Sequence, residues 1–196
     1  MNFLAHFLLS CPREEIVVGN FLADFLRKAE QDRLQAPYQP GIILHYAIDK
    51  FTDQHPRVQH SVHLLRDRHS KYAPVILDVL FDYVLAQNWS TFSTESLPVF
   101  TQRMYRILER HLEIMPTHMQ QRVPNMIHHN WLLSYTTLNG LEYTFDLMKK
   151  RVSKPAFFTA IIASLEQSYL VLEEDFLSFF PDMQAYARKV CTTQLS

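Results

Sequence analysis

The stretch LHYAIDKFTDQHP, residues 44–56, indicates how this chain folds. Read as a helix, it carries His45, Asp49 and Asp53 at successive four-residue steps, so an imidazole and two carboxylates form one stripe while apolar residues lie on the other side. Pro56 ends the helix, because it disfavours a helical residue before it. Two acids one turn apart repel each other, which a bound divalent cation would relieve. The alternative is a solvated polar stripe that includes a chance histidine.

Composition favours a helical protein with one core. The chain has 196 residues, of which 47% are hydrophobic and 20% charged, as in ordinary folded proteins. Only 3 glycines accompany 10 prolines, which disfavours sheets joined by tight hairpins because those turns usually require glycine. We therefore predict an all-α, single-domain helical bundle.

Hydrophobic periodicity and proline positions set the expected helices. They are predicted over residues 2–10, 15–29, 44–55, 57–72, 73–89, 97–111, 118–135, 138–151 and 155–180. Residues 1–196 are assigned to a single helical domain, in which helices at about 1–89 build the site and helices at about 91–194 pack around them. Gly19 interrupts an apolar helix, which suggests that another backbone or a bound group comes close to it.

Charge and cysteine usage exclude several kinds of partner. Lys and Arg number 19 against 20 Asp and Glu, so no overall field attracts nucleic acid or a membrane surface. Cys11 and Cys191 are far apart in sequence and lack CxxC spacing, so we predict neither a disulfide nor a thiolate metal site. The apolar residues 1–9 lack a cationic start and are too short to span a membrane. We expect a cytoplasmic protein, whose oligomeric state the sequence leaves open.

Four of the early helices each carry a polar pair four residues apart in apolar surroundings. The pairs are Asn2 and His6, Asn20 and Asp24, His45 and Asp49, and Asp78 and Asp82. If the helices pack as a bundle, these faces converge on a pocket of imidazole and carboxylate groups. Nitrogen and oxygen ligands of this kind suit Mn²⁺, Fe²⁺, Mg²⁺ or Zn²⁺.

Several of these blocks also resemble a known family. The segments MNFLAH at 1–6, GNFLADF at 19–25, HxxIDxFTDxHP at 45–56 and YAPVILDVLFD at 72–82, followed by Trp89, resemble the acyl carrier protein phosphodiesterases. The resemblance implies an all-helical fold distantly akin to the HD-domain phosphohydrolases. It also implies Mn²⁺-dependent hydrolysis that releases 4'-phosphopantetheine from the serine of holo acyl carrier protein, and hence a link to fatty acid biosynthesis.

The resemblance and the polar pairs together give an expected site. Metal ligands are predicted at His6, Asp24, His45, Asp49 and Asp78, with Mn²⁺ as the ion and Mg²⁺ or Fe²⁺ as alternatives. The last four of these belong to the predicted catalytic set, which Asp53, His55 and Asp82 complete by orienting ligands or moving the proton that the departing serine oxygen needs. The alternative for Asp53 and His55 is a polar role at the helix end.

Acyl carrier proteins are acidic, so the substrate surface should be locally basic. Substrate-binding cations are predicted at Arg27, Lys28, Lys50 and Arg57, although ordinary solubility charge is the alternative for each. Two other functions remain open from the sequence. One is an HD-like phosphohydrolase that acts on a small nucleotide or phosphomonoester, and the other is a helical module that binds a carrier protein without turnover.

Overall fold

The computed structural model describes residues 1–195, whose regular structure is helical throughout, with no strand. The helices are α1 Phe3–Leu8, α2 Glu14–Ala23, α3 Lys28–Gln31, α4 Gln39–Gln54, α5 Pro56–His69, α6 Ala73–Gln87, α7 Trp89–Phe92, α8 Leu97–Arg110, α9 Thr117–His128, α10 Trp131–Ser134, α11 Leu138–Lys149 and α12 Ile161–Thr193. Single 3-10 turns occur at Ala36–Tyr38, Ser70–Tyr72, Leu112–Ile114 and Pro155–Phe158. The all-α prediction is confirmed, and buried apolar side chains from both halves of the chain share one core.

Helices α2 and α4 pack with their backbones in contact. A methyl group added at Gly19 would overlap the carbonyl oxygen of Tyr38, and one added at Gly41 would overlap the carbonyl oxygen of Ile16. The prediction that Gly19 marks a close approach is therefore confirmed. This packing brings the polar positions of α2 opposite those of α4.

An aspartate of α6 binds the N-terminus of the first helix. Leu4 and Ala5 are fully buried, and their backbone N–H groups donate to the two carboxylate oxygens of Asp82 at 2.8 Å and 3.1 Å. The first N–H groups of any helix have no partner within the helix, so this carboxylate caps α1. The cap fixes the position from which His6 projects.

Several predicted helix boundaries are wrong. The helix predicted over 15–29 ends at Ala23, and the one over 118–135 is broken at Asn130, whose φ is +49°. The helix predicted over 155–180 begins only after Ala160, whose φ is +56°, and runs through Pro181 to Thr193. A proline inside a helix costs stability, but side chains on both sides of Pro181 are buried in the core and hold the helix together.

The prediction that the two cysteines are unpaired is wrong. Cys11 and Cys191 form a disulfide, with their Cα atoms 5.6 Å apart. Sequence separation misled the prediction, because α12 runs back along the early helices and returns the end of the chain to its beginning. Disulfides are rare in reducing compartments, so the bond also removes the argument from cysteine usage for such a compartment.

The disulfide yields a stability prediction. Cys191→Ser should lower the free energy of unfolding by about 2–5 kcal/mol, because the bond closes a long loop in the unfolded chain, here with a sequence separation of 180 residues. Urea denaturation with and without a thiol reductant measures this. Reductant should destabilise the wild type and leave the variant unchanged, whereas equal midpoints for the two oxidised proteins would show that the bond contributes nothing.

Among residues 1–195, no helix combines the length and the apolarity needed to cross a membrane.

Candidate metal centre

Two histidines and an aspartate converge where α1 meets α4. The rings of His6 and His45 stack with centroids 4.4 Å apart. Their Nε2 atoms both face Asp49, at 3.2 Å from its Oδ1 atom and 3.1 Å from its Oδ2 atom respectively. One potential ligand atom from each of the three residues lies within 4.8 Å of the others. This spacing allows the three side chains to ligate one ion.

Asn20 of α2 orients both imidazoles. Its Oδ1 atom lies 2.9 Å from Nδ1 of His6 and 3.2 Å from Nδ1 of His45. Its amide nitrogen donates to the carbonyl oxygen of His6 at 3.0 Å and to the hydroxyl of Ser10 at 2.8 Å, which fixes which end of the amide faces the rings. A carbonyl oxygen only accepts, so each Nδ1 carries the proton. Nε2 is then the nitrogen that each ring can offer to a metal ion, and a proton that it donates to Asp49 would be released when an ion binds.

The carboxylates of this centre differ in their electrostatics. Burial works against ionisation of Asp49, but hydrogen bonds from His45 and His6 outweigh it and hold the pKa of Asp49 below its ordinary value. Asp24 directly follows α2, and its Oδ1 atom lies 3.6 Å from Nε2 of His45. Burial raises the pKa of Asp24, although His45 opposes the rise. Asp49 is therefore the firmly ionised ligand of the group.

The amino group of Met1 lies between Asp78 and Asp49. The amino group of Met1 lies 2.9 Å from Oδ1 of Asp78 and 3.8 Å from Oδ1 of Asp49. Burial lowers the pKa of this amino group, but Asp78 and Asp49 outweigh burial and raise the pKa to about 10. The ammonium group thus stands in a place that two carboxylates make favourable for a cation.

The structure does not gather all the predicted catalytic residues in one place. Asp82 lies under α1, where burial raises its pKa to about 7 against the opposing hydrogen bonds of the helix N-terminus. Asp53 has an exposed side chain near the end of α4. Partial desolvation of its carboxylate, and then the charge of Asp78, raise its pKa. His55 accepts a hydrogen bond at the start of α5 and lies 3.5 Å from Asp182 of α12. These contacts give Asp82 and His55 roles in holding helices.

The predicted substrate-binding cations lie at the surface, and two of them already pair with acids of the same chain. All four are exposed: Arg27, Lys28, Lys50 and Arg57. Arg57 lies 3.3 Å from Asp175 in α12, and Lys28 lies 2.5 Å from Asp32. The charge of each of these two cations is therefore already matched by an acid of the same chain.

A cavity of about 420 Å³ opens beside this histidine–carboxylate cluster. The early part of the chain lines one side of it, where Asp24 and Asp78 lie. The segment from α9 to just after α11 lines another side, which includes Arg122, Trp131 and Arg151. Sequence reasoning missed this wall, because its residues lie in ordinary amphipathic helices without a motif. Only a tertiary contact relates them to the acids.

The donor set tests whether a metal would fit. Two imidazole Nε2 atoms and an ionised carboxylate suit first-row divalent ions, because mixed nitrogen and oxygen ligands of this kind are used in Mn²⁺, Fe²⁺ and Zn²⁺ sites. The residues present therefore fit such an ion. Fold and site together define an all-helical protein with a histidine–carboxylate centre of the kind used in metal-assisted hydrolysis.

The chain belongs to the acyl carrier protein phosphodiesterase family, whose model matches residues 1–183. A relative of that name from Photorhabdus laumondii subsp. laumondii is 31% identical over 188 residues, which cover 95% of each chain. Relatives of the same name from Serratia proteamaculans and Yersinia pestis are each 31% identical over 189 residues, covering 96% of this chain and 98% of theirs. The family places the protein among the phosphoric diester hydrolases.

No solved structure was found to match the chain. The expected kinship with the HD-domain fold therefore stays a prediction.

Proposed function

We propose that the protein hydrolyses the phosphodiester that joins 4'-phosphopantetheine to the serine of holo acyl carrier protein, leaving apo acyl carrier protein. One observation carries the proposal: Nε2 of His6, Nε2 of His45 and the Asp49 carboxylate converge next to a cavity of about 420 Å³. The names of the family and of the relatives support the choice of substrate.

The proposal includes a divalent ion, with Mn²⁺ preferred and Mg²⁺ or Fe²⁺ as alternatives. His6, His45 and Asp49 would hold it, and Asp24 and Asp78, which line the cavity, are the remaining candidate ligands. Such an ion would supply Lewis-acid activation of the phosphodiester and of a water nucleophile.

The protein's own residues prepare the centre for this chemistry. Asn20 engages Nδ1 of both imidazoles, so Nε2 is the nitrogen that an ion would ligate, with release of any proton that Nε2 donates to Asp49. Asp82 holds α1 in place through the N–H groups of Leu4 and Ala5. This fixes the position of His6 relative to His45. A centre held by packed helices loses little freedom on binding, and this preorganisation favours activity.

Mass spectrometry of the carrier protein tests the proposal. Incubation of holo acyl carrier protein with the protein and Mn²⁺ should lower the carrier mass by that of the phosphopantetheinyl group. A metal chelator should prevent the change, and apo acyl carrier protein should keep its mass. Unchanged holo carrier alongside cleavage of a nucleotide or phosphomonoester would favour the phosphohydrolase alternative. Tight carrier binding with no turnover and no metal uptake would favour the non-catalytic module.

A cytoplasmic location remains part of the proposal. The disulfide between Cys11 and Cys191 weighs against it, because reducing compartments keep thiols free. Reductant dependence of activity would show which state of the two cysteines the enzyme uses.

A further inference from the structure

Arg122 of α9 packs against two aromatic rings at the cavity. Its guanidinium lies 4.5 Å from the ring centre of Phe25 and 5.3 Å from that of Trp131. The Nε atom is buried, and among residues 1–195 it has no hydrogen-bond partner. A buried donor without a partner destabilises the folded protein, so the Arg122 guanidinium is suited to an acceptor that a ligand supplies.

A second arginine adds to the positive charge at the cavity. Arg151 follows α11 and lines the same space as Arg122. Within the described part of the chain, the arginines that form ion pairs with acids are Arg57, Arg103 and Arg110. Burial lowers the pKa of Arg122, and the charge of Arg151 lowers it further.

The acids that share the cavity lie against groups other than these two arginines. Asp24 lies 3.6 Å from His45, and Asp78 lies 2.9 Å from the amino group of Met1. The cavity therefore has an acidic wall suited to a metal ion and a separate guanidinium wall suited to an anion. A phosphate group bound near a metal ion would interact with both walls, because its oxygens accept hydrogen bonds from guanidinium groups and also ligate divalent ions.

We propose that Arg122 and Arg151 form the subsite that binds the phosphate of the phosphopantetheinyl arm, with the arm lying in the cavity. This inference rests on the proposed function. Guanidinium groups match phosphate geometry with paired donors, and the two aromatic contacts restrict where the Arg122 guanidinium can lie. The cavity volume of about 420 Å³ falls within the range of about 300–1,000 Å³ that is usual for small-ligand sites.

Binding of the free product tests the subsite without any turnover. Isothermal titration of the full-length protein with 4'-phosphopantetheine should show binding that Arg151→Gln weakens about 10- to 100-fold, the range for hydrogen bonds between charged groups. Arg122→Gln should weaken it similarly. Pantetheine, which lacks the phosphate, should bind weakly to the wild type and equally to both variants.

Lys150→Gln is the matched control. It removes one positive charge from the residue before Arg151, is exposed and does not line the cavity, so affinity should stay within about twofold, since exposed charges are screened. Arg151 is also exposed, so its variant should fold even if Arg122→Gln does not. No binding by the wild type, or equal affinities in wild type and Arg151→Gln, would overturn the subsite. The carrier mass assay separately decides the proposed function.

Discussion

Asp49→Asn is expected to lower turnover of holo acyl carrier protein about 1000-fold or more. A bound ion would lower the activation free energy by several kcal/mol, and each loss of about 1.4 kcal/mol slows the reaction tenfold. The asparagine keeps the volume of the side chain and removes its negative charge. Both histidines face this carboxylate at 3.1 Å and 3.2 Å. The substitution therefore removes the one negative charge among the three proposed metal ligands. Initial rates from the carrier mass assay measure the effect, and calorimetric titration with Mn²⁺ should show weakened binding.

Asp67→Asn provides the control for this substitution. Asp67 is exposed on α5, so the same exchange of acid for amide should leave the rate within about twofold, as exposed charges are screened by solvent and salt. Helicity and melting temperature should remain near those of the wild type in both variants. Wild-type turnover by folded Asp49→Asn would remove Asp49 from the site.

The sequence allowed part of this centre to be predicted. His45 and Asp49 lie four residues apart on one helix, a spacing that places them on one face whatever the tertiary structure, and the structure confirms that they meet. The convergence of His6 with them was predicted from its position in an apolar first helix. A polar side chain there needs a partner, and buried polar groups are rarely left alone.

Other parts depended on tertiary contacts that no local pattern contains. Cys11 and Cys191 meet because α12 returns to the start of the chain. Arg122 and Arg151 reach the cavity because α9 and α11 pack beside the early helices. Asn20 belongs to one of the polar pairs that the sequence shows, but its contact with both imidazoles requires three helices in register.

Asn20→Ala is expected to weaken Mn²⁺ binding about 10- to 100-fold, the usual effect of removing a partner that orients metal ligands. Without the Oδ1 atom, the Nδ1 atoms of His6 and His45 lose their acceptor, so the rings no longer hold one tautomer and one orientation. The three ligands themselves remain. Activity at saturating Mn²⁺ should therefore recover most of the way to the wild-type value, which Asp49→Asn cannot do.

Asn88→Ala is the control for Asn20→Ala. The Asn88 amide donates to Glu173 and to its own helix, so its loss affects stability without touching the histidines. Its Mn²⁺ affinity should match that of the wild type. Equal Mn²⁺ affinity in folded Asn20→Ala would refute the orienting role of Asn20.

The position of the ion itself tests the account most directly. Anomalous diffraction from crystals grown with Mn²⁺ should give a peak in contact with Nε2 of His6, Nε2 of His45 and a carboxylate oxygen of Asp49. Distances of about 2.0–2.3 Å are expected from typical metal–ligand bonds. A peak bound by other residues, or no peak in crystals of a protein that still cleaves holo acyl carrier protein in the presence of a chelator, would contradict it.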